Sequence, residues 1–565
     1  MNEVPCSESL KPPRERLVSW LARLYRHRLT TTTGGNLSFI DDDGTLYITP
    51  SGGDKAIVPP ASVCVCKAGH DSFEGPLGPS MEWQLHTEVY KARPDCKAVL
   101  HSHSMALIAF SLAEDKGSIS SRLFDSSSDT GENHNGVPGE IQNFMYQNGV
   151  CLSAWTYELD RGFASFIYFL LILSHDASRS DTRCLLSAWL SCGRVSFVPY
   201  YPPGSKELAV ACAEALSRGE CAVLQNHGVV TIGATLQEAF NRFVTLEHLA
   251  RSIINATQLG VPIPLKENVL DIRRDGSTNR GYYLLPIKRC QRDQCCCSRR
   301  KIAGIEKETR KELCTLVKRA YDQQLFTASS GAFSIRITNS ENINGTTTCR
   351  SGSANTSFLV SPTHIDRSSL SLDTICYLSD QVDCARNDCM ICNGRNESTT
   401  ACYFHPTCTH KSNLQALNMI NPSHSAEIHH TIYKNHPEVN CIIIAQPKYA
   451  SAFCITGSPF NSAQIPESYL VLGNVKTLPF ESLQNAGIAI SNALNPSDGI
   501  TTVIISGFGL LSVGTSPLKT FVQVEVCESM CGVLVTARRR GGVVHLNSNQ
   551  LNELDDLFSN KHWAE

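Results

Sequence analysis

The stretch PSMEWQLHTEVYKARPDCKAVLHSHS, Pro79–Ser104, reads as a helix followed by a strand. MEWQLHTEVYKAR is the helix, and Lys97–Leu100 is a short buried strand that runs into His101, Ser102, His103 and Ser104. Side chains alternate along a strand, so His101 and His103 share one face and Ser102 takes the other. An isolated H-x-H is ordinarily a chance surface pair. As half of a metal site it needs a third ligand and a proton carrier from elsewhere in the chain.

The same stretch has a partner, PSHSAEIHHTIYKNHPEVNCIIIAQP, Pro422–Pro447, with proline, serine, histidine, tyrosine and lysine in register. Three more blocks pair in the same order. TTTGGNLSF matches TASSGAFSI (Thr327–Ile335), LYITPSG matches FLVSPTH (Phe358–His364), and CAVLQNHGVVTIGATLQEAF (Cys221–Phe240) matches TTVIISGFGLLSVGTSPLKTF (Thr501–Phe521). Four ordered matches imply two tandem copies of one domain, over residues 12–285 and 306–540. Within a copy, helical and strand patterns alternate, and turns separate the strands as often as helices do. The pattern predicts an α/β domain of three layers, α/β/α. The helix from TLQEAF starts at a capping pair, Thr235 and Glu238.

Three segments interrupt the repeat: an insertion over about 114–195, a basic cysteine-rich linker over 286–305, and a Cys/His-rich insertion over about 380–412. The first is either a surface insertion or a segment foreign to the mature protein. In the last, Cys389 and Cys392 form a C-x-x-C near Cys402, His405, Cys408 and His410, at spacings that match no standard zinc finger.

Bulk composition narrows the function. The 565 residues carry a net charge of −3 with both signs mixed, which points to neither nucleic acid nor membrane as a partner. The N-terminus lacks an apolar signal region, and the longest apolar run, Phe163–Leu173, is shorter than the ~20 residues that span a bilayer. A cytoplasmic protein is expected, its 25 cysteines mostly reduced thiols.

The third ligand candidate is His227 in LQNHGVV, at a strand end before a glycine turn. Three neutral imidazoles bind Zn²⁺ and leave a coordination position open, as catalytic sites require. Glu82, at the start of the PSMEW helix, is the candidate general acid/base, and His86, one turn along, a supporting residue. Three turns, TTGGN (Thr32–Asn36), TPSG (Thr49–Gly52) and GPS (Gly78–Ser80), have the composition of an anion-binding nest.

Together, GGNLS, ITPSG, PSMEWQLH, VLHSHS, PPGSKEL and NHGVV resemble the class II aldolase/adducin head-domain family, and within it the L-fuculose-phosphate aldolases. The resemblance covers nearly all of the first copy outside the insertion and, more loosely, the second. It implies His101, His103 and His227 as Zn²⁺ ligands and Glu82 as an acid/base that also reaches the metal. It assigns Gly35, Asn36, Ser51, Gly52, Ser80 and Met81 to the substrate phosphate, with Met81 replacing a family serine. The implied reaction is retro-aldol cleavage of a ketose phosphate to dihydroxyacetone phosphate and an aldehyde through a Zn²⁺-stabilised enediolate. Epimerases of the family carry aspartate in the stretch where Glu82 lies. A 4-epimerase, a methylthioribulose-phosphate dehydratase and a non-catalytic adducin-like interaction protein are the alternatives.

In the second copy His101 becomes Ile444, His103 Gln446, His227 Phe508, Glu82 Ser425, Asn36 Ala332 and Gly52 His364. It is expected to fold without this chemistry. The resemblance also implies a four-fold assembly in which a neighbour lends a tyrosine. A tandem chain would reach it as a homodimer forming a pseudo-tetramer, with Tyr469 in IPESYLVLGN as the lent residue and copy one's insertion at the matching point.

Overall fold

The computed structural model describes residues 11–67, 72–111, 182–265, 304–337, 356–363, 365–379, 402–404 and 421–558. The chain divides into two compact units, one over Lys11–Lys266 and one from Glu267 onward.

The first unit is built on seven strands: β1 (Asn36–Ile40), β2 (Leu46–Ile48), β3 (Cys64–Cys66), β4 (Ala98–Ser102), β5 (Val195–Val198), β6 (Cys221–Leu224) and β7 (Gly228–Gly233). Their order is β3-β2-β1-β4-β7-β6-β5. β5 and β6 are parallel and every other pair is antiparallel. The one parallel pair is joined by a crossover helix, α5 (Lys206–Leu216), as parallel pairing demands. The remaining helices are α1 (Pro13–Arg26), α2 (Trp83–Ala92), α3 (Met105–Ser111), α4 (Leu186–Cys192) and α6 (Leu236–Ala256).

Strand alternation sorts the helices into layers. Leu85 and Val89 of α2 pack with Leu208, Cys212 and Leu216 of α5 onto Val99, Ala222, Val230 and Ile232. Each fully buried aliphatic side chain there contributes roughly 1.5–3 kcal/mol. Thr231, between Val230 and Ile232, points the other way and donates to Ala239 O of α6 at 2.8 Å. On that side Trp20 of α1 stacks at 4.9 Å on Phe240. The sheet is therefore sandwiched, as the sequence pattern implies. The expected cap of α6 forms as well: Thr235 Oγ1 accepts from Glu238 N at 3.1 Å, and Glu238 Oε2 accepts from Ala234 N at 2.8 Å.

The second unit repeats this plan with β8 (Ala332–Arg336), β9 (Ser357–Val360), β10 (Cys376–Ser379), β11 (Cys402–Phe404), β12 (Cys441–Ala445), β13 (Lys476–Leu478), β14 (Thr502–Ile505) and β15 (Gly509–Gly514). The order β11-β10-β9-β8-β12-β15-β14-β13 adds one edge strand to the same sheet. Register repeats too: Asn36 stands opposite His101, and Ala332 opposite Ile444. Its helices are α7 (Gly304–Asp322), α8 (Ala426–Asn435), α9 (Ala450–Thr456), α10 (Pro466–Leu472), α11 (Gln484–Ala493), α12 (Pro517–Arg539) and α13 (Ser548–Phe558). α12 is long and apolar enough to cross a bilayer by length and composition; half of that stretch is buried. The described cysteines from Cys64 to Cys376 and from Cys441 to Cys531 are free thiols.

The structure corrects the expected insertion. Residues from Thr182 already belong to the repeated plan, because α4 and β5 match α10 and β13. Thr182 Oγ1 donates to Gly193 O at 2.6 Å just as Ser462 Oγ donates to Gly473 O, and both glycines are left-handed, at φ 60° and 56°. Trp189 thus occupies the place of Tyr469, and no insertion stands there. LLSAWLSCG and IPESYLVLG share only Leu190/Leu470 and Gly193/Gly473, too little to register by sequence. α7 begins at Gly304, inside the expected linker, and α13 lies beyond the expected domain end at 540. Residues 112–181, 266–303 and the Cys/His insertion outside 402–404 lie outside the described residues.

Candidate metal centre

His101 follows Val99 by two residues, so it projects on the α2 side of the sheet, where the α2 N-terminus presents Glu82. His227 arrives from the β6–β7 hairpin, in which Leu224 pairs with Gly228 and Asn226 turns the chain at φ 56°. Gly228 is required there. A Cβ would stand 2.7 Å from Ser102 O and within 3.0 Å of both the His101 and His103 rings.

One donor atom from each of Glu82, His101, His103 and His227 lies within 4.8 Å of the others. The Nε2 atoms of His101 and His103 are 2.9 Å apart. Glu82 reaches His101 Nε2 with Oε2 at 3.2 Å and His227 Nε2 with Oε1 at 3.1 Å. His101 Nδ1 donates to Val229 O at 3.1 Å, so the neutral ring presents a bare Nε2 lone pair to the centre. Burial holds the His101 pKa down at about 3 and lowers that of His103, keeping both imidazoles in the metal-binding form. Burial opposes ionisation of Glu82, but His101, His227 and Asn36 outweigh it and hold the carboxyl well below its usual range. Glu82 Oε1 and His227 Nδ1 are buried without a hydrogen bond. A buried carboxylate oxygen or ring nitrogen left without a hydrogen bond is costly. A cation held by the three converging imidazole lone pairs would balance the charge of the buried carboxylate, so these residues fit a divalent metal.

Behind Glu82 runs a buried chain of hydrogen bonds that the sequence does not announce. Asn36 Nδ2 donates to Glu82 Oε2 at 2.8 Å, and Asn36 Oδ1 accepts from His86 Nε2 at 2.5 Å. That protonation leaves His86 Nδ1 to accept from Ser38 Oγ at 2.6 Å, and Ser38 Oγ accepts from Tyr90 OH at 2.7 Å. Burial lowers His86 to about 4 and raises Tyr90, so the chain is neutral behind the carboxylate. Ser38 and Tyr90 escaped sequence reading. Ser38 stands opposite Val99 in β4, and only that register puts it under α2.

The turns that carry the expected phosphate residues are joined by backbone hydrogen bonds, and the Asn36 side chain has a different task from the expected one. The Asn36 side chain is committed to Glu82 and His86. Ser51 N–H donates to Gly78 O at 2.9 Å and Ser80 N–H to Thr49 O at 3.0 Å, so these two amides knit the turns together. Among the described residues the N–H groups of Gly35 (φ 72°), Gly52 (φ 68°) and Met81 have no backbone partner, and the Met81 side chain is exposed.

In the second unit Gln446, at the position of His103, donates from Nε2 to Phe508 O at 2.7 Å. The hydrogen-bond chain survives only in part: Tyr433 OH to Ser334 Oγ at 2.8 Å, Ser334 Oγ to His429 Nδ1 at 2.6 Å, and His429 Nε2 to Ser425 Oγ at 3.3 Å. His364 lies outside the described residues. Tyr469 donates to Asp555 of α13, 2.9 and 3.0 Å from its two carboxylate oxygens, and does not meet the other site residues within its own unit.

Comparison with known proteins follows this geometry. Residues 15–145, 175–254 and 311–535 match the profile described as Class II Aldolase and Adducin N-terminal domain. A 3-oxo-tetronate 4-phosphate decarboxylase of Escherichia coli O6:H1 is 27% identical over 240 residues, 42% of this chain and 85% of that protein. An L-fuculose phosphate aldolase of Methanococcus vannielii is 25% identical over 228 residues, 40% of this chain and 88% of that protein. Among solved structures, an L-fuculose 1-phosphate aldolase is 21% identical, covering 48% of this chain and 98% of its own, at a TM-score of 0.34. With both units matched, the chain belongs to the class II aldolase and adducin N-terminal domain family.

Proposed function

We propose that the first unit is a metal-dependent lyase acting on a phosphorylated ketose, with His101, His103 and His227 holding Zn²⁺ and Glu82 moving the proton. The observation that carries this reading is the convergence of three imidazoles on a carboxylate whose Oε1 has no hydrogen bond. A bound divalent cation supplies Lewis acidity to the substrate carbonyl oxygen. Glu82 Oε2 is fixed by Asn36, which leaves Oε1 as the atom that exchanges protons. It takes the C4 hydroxyl proton as the C3–C4 bond breaks and the aldehyde forms, then returns that proton to C3, where the electron pair is left. The amides of Gly35, Gly52 and Met81 and the hydroxyls of Ser51 and Ser80 hold the phosphate. The product retaining it is dihydroxyacetone phosphate.

A second reading, decarboxylation of a 3-oxo acid phosphate, is favoured by the decarboxylase relatives. Loss of CO₂ also leaves an electron pair beside a carbonyl, and Glu82 Oε1 again protonates that carbon. The second unit is a degenerate duplicate, since Ile444, Gln446, Phe508 and Ser425 offer neither ligand set nor acid. The chain is proposed as a cytoplasmic homodimer. A role for Tyr469 requires its hydroxyl to leave Asp555, and full-length Tyr469→Phe tests it.

The deciding experiment supplies the Zn²⁺-loaded full chain with ketose 1-phosphates and with 3-oxo acid phosphates, measuring dihydroxyacetone phosphate and CO₂. Neither product from protein with full metal content would overturn the enzymatic reading in favour of an interaction protein.

A further inference from the structure

Lys55 is 3% exposed, and among the described residues its ammonium has neither a hydrogen bond nor an ion pair. An unpaired buried ammonium is expensive, and burial accordingly lowers its pKa. Its backbone lies where two turns of the nest meet. Lys55 N–H donates to Thr32 O of the TTGGN turn at 2.9 Å, and one residue, Asp54, separates it from the TPSGG turn that carries Ser51 and Gly52.

The second unit shows what this position does when no ligand is served. There the residue is Arg367, whose N–H donates to Ala328 O at 3.0 Å, the counterpart of the Lys55–Thr32 bond. Its guanidinium, also fully buried, donates to Pro362 O at 2.7 Å, Ile365 O at 3.1 Å and Gly331 O at 2.7 Å. These carbonyls correspond to those of Pro50, Gly53 and Gly35, the two turns whose amides face the nest. The forked cation ties its own turns together. A lysine on the same backbone carries its charge on one head rather than a fork, and among the described residues it makes none of these bonds.

We infer that Lys55 supplies the counter-charge for the substrate's phosphate, from between the two turns of the nest. This rests on the sugar-phosphate reading of the site and adds a residue to it. A dianion gains a charge-assisted bond that amides and hydroxyls alone do not give, and the buried ammonium gains the partner it lacks. The second unit, its cation bound to its own carbonyls, is closed to phosphate.

The test measures inorganic phosphate binding to the Zn²⁺-loaded full chain by calorimetry and by phosphate-induced thermal stabilisation. Wild type is compared with Lys55→Met and Lys55→Gln. Both variants are expected to bind phosphate about 10–100-fold more weakly with unchanged metal content. Lys55→Met should also melt higher than wild type without phosphate, because it removes an unpaired buried charge. Either variant binding phosphate as wild type does would overturn the assignment, as would a wild type that binds none. Wild type that binds phosphate through Lys55 yet cleaves no ketose phosphate would sink the lyase reading while leaving this one standing.

Discussion

Replacing Asn36 by alanine cuts the link between Glu82 and His86. Two buried bonds are lost, the charge-assisted one to Glu82 Oε2 at 2.8 Å and the one from His86 Nε2 at 2.5 Å. The first is worth about 1.5–3 kcal/mol, and an orphaned buried imidazole N–H costs about 1–3 kcal/mol. The substitution should therefore destabilise the first unit by about 3–5 kcal/mol, roughly 10 °C in melting temperature. Turnover should fall on the order of 10²-fold, because Glu82 no longer holds one orientation. The second unit indicates how to separate these effects. It folds with Ala332 and Ser425 in these places, and His429 Nε2 is paired with Ser425 Oγ. The double variant Asn36→Ala/Glu82→Ser should thus recover about 2 kcal/mol relative to Asn36→Ala while losing activity, a coupling that a double-mutant cycle reads directly. Tryptophan fluorescence suits the assay, since Trp20, Trp83, Trp155 and Trp189 lie in the first half of the chain and only Trp563 in the second. A loss below about 0.5 kcal/mol for Asn36→Ala, or a double variant no more stable than the single, would refute the reasoning.

Elemental analysis should find about one metal ion per chain, lost in His103→Ala; full retention would remove His103 from the ligand set. Glu82→Gln should keep fold and metal while turnover drops about 10²–10⁴-fold, read in the cleavage assay. Activity within a few-fold of wild type would exclude Glu82 as the proton carrier. Burial pushes Glu528 of α12 up to about 7 from 4.5, against the N–H groups of Tyr449 and Ala450 that it accepts from. A carboxyl raised in the folded state binds more protons there than unfolded, so its contribution is full below the unfolded value and is lost as pH rises through about 7. The second unit should lose up to about 3 kcal/mol between pH 4.5 and 8, a slope that Glu528→Gln flattens; equal slopes in parallel melts would refute this.

The three histidines that the structure brings together were legible in the sequence because the spacing of two of them is local and the third ends a hairpin strand. Two histidines one apart on a strand share a face by geometry alone, and a histidine at a hairpin end before glycine projects from the sheet edge. The repeat was equally legible, because helix and strand periods survive substitution of Ile444 for His101 or Phe508 for His227. Glu82 was read as a candidate acid/base from its place at a helix start beside the histidines, and the resemblance to a known family added that it would also reach the metal.

What remained hidden depends on register and burial between segments far apart in the chain. Ser38 reaches His86 because β1 pairs with β4 so that Ser38 opposes Val99, and one residue of slip would turn it to the α6 face. The family role of Asn36 toward phosphate gave way to Glu82 and His86 because both lie within its reach only once α2 docks on the sheet. Trp189 stayed invisible as the counterpart of Tyr469 because a parallel edge strand needs a crossover and a glycine turn more than any particular residues. Lys55 looks like an ordinary loop lysine until two turns close over it. Local periodicity determined which residues could act, and pairing of distant strands decided which of them meet, because contact energy depends on distance in space and sequence records only distance along the chain.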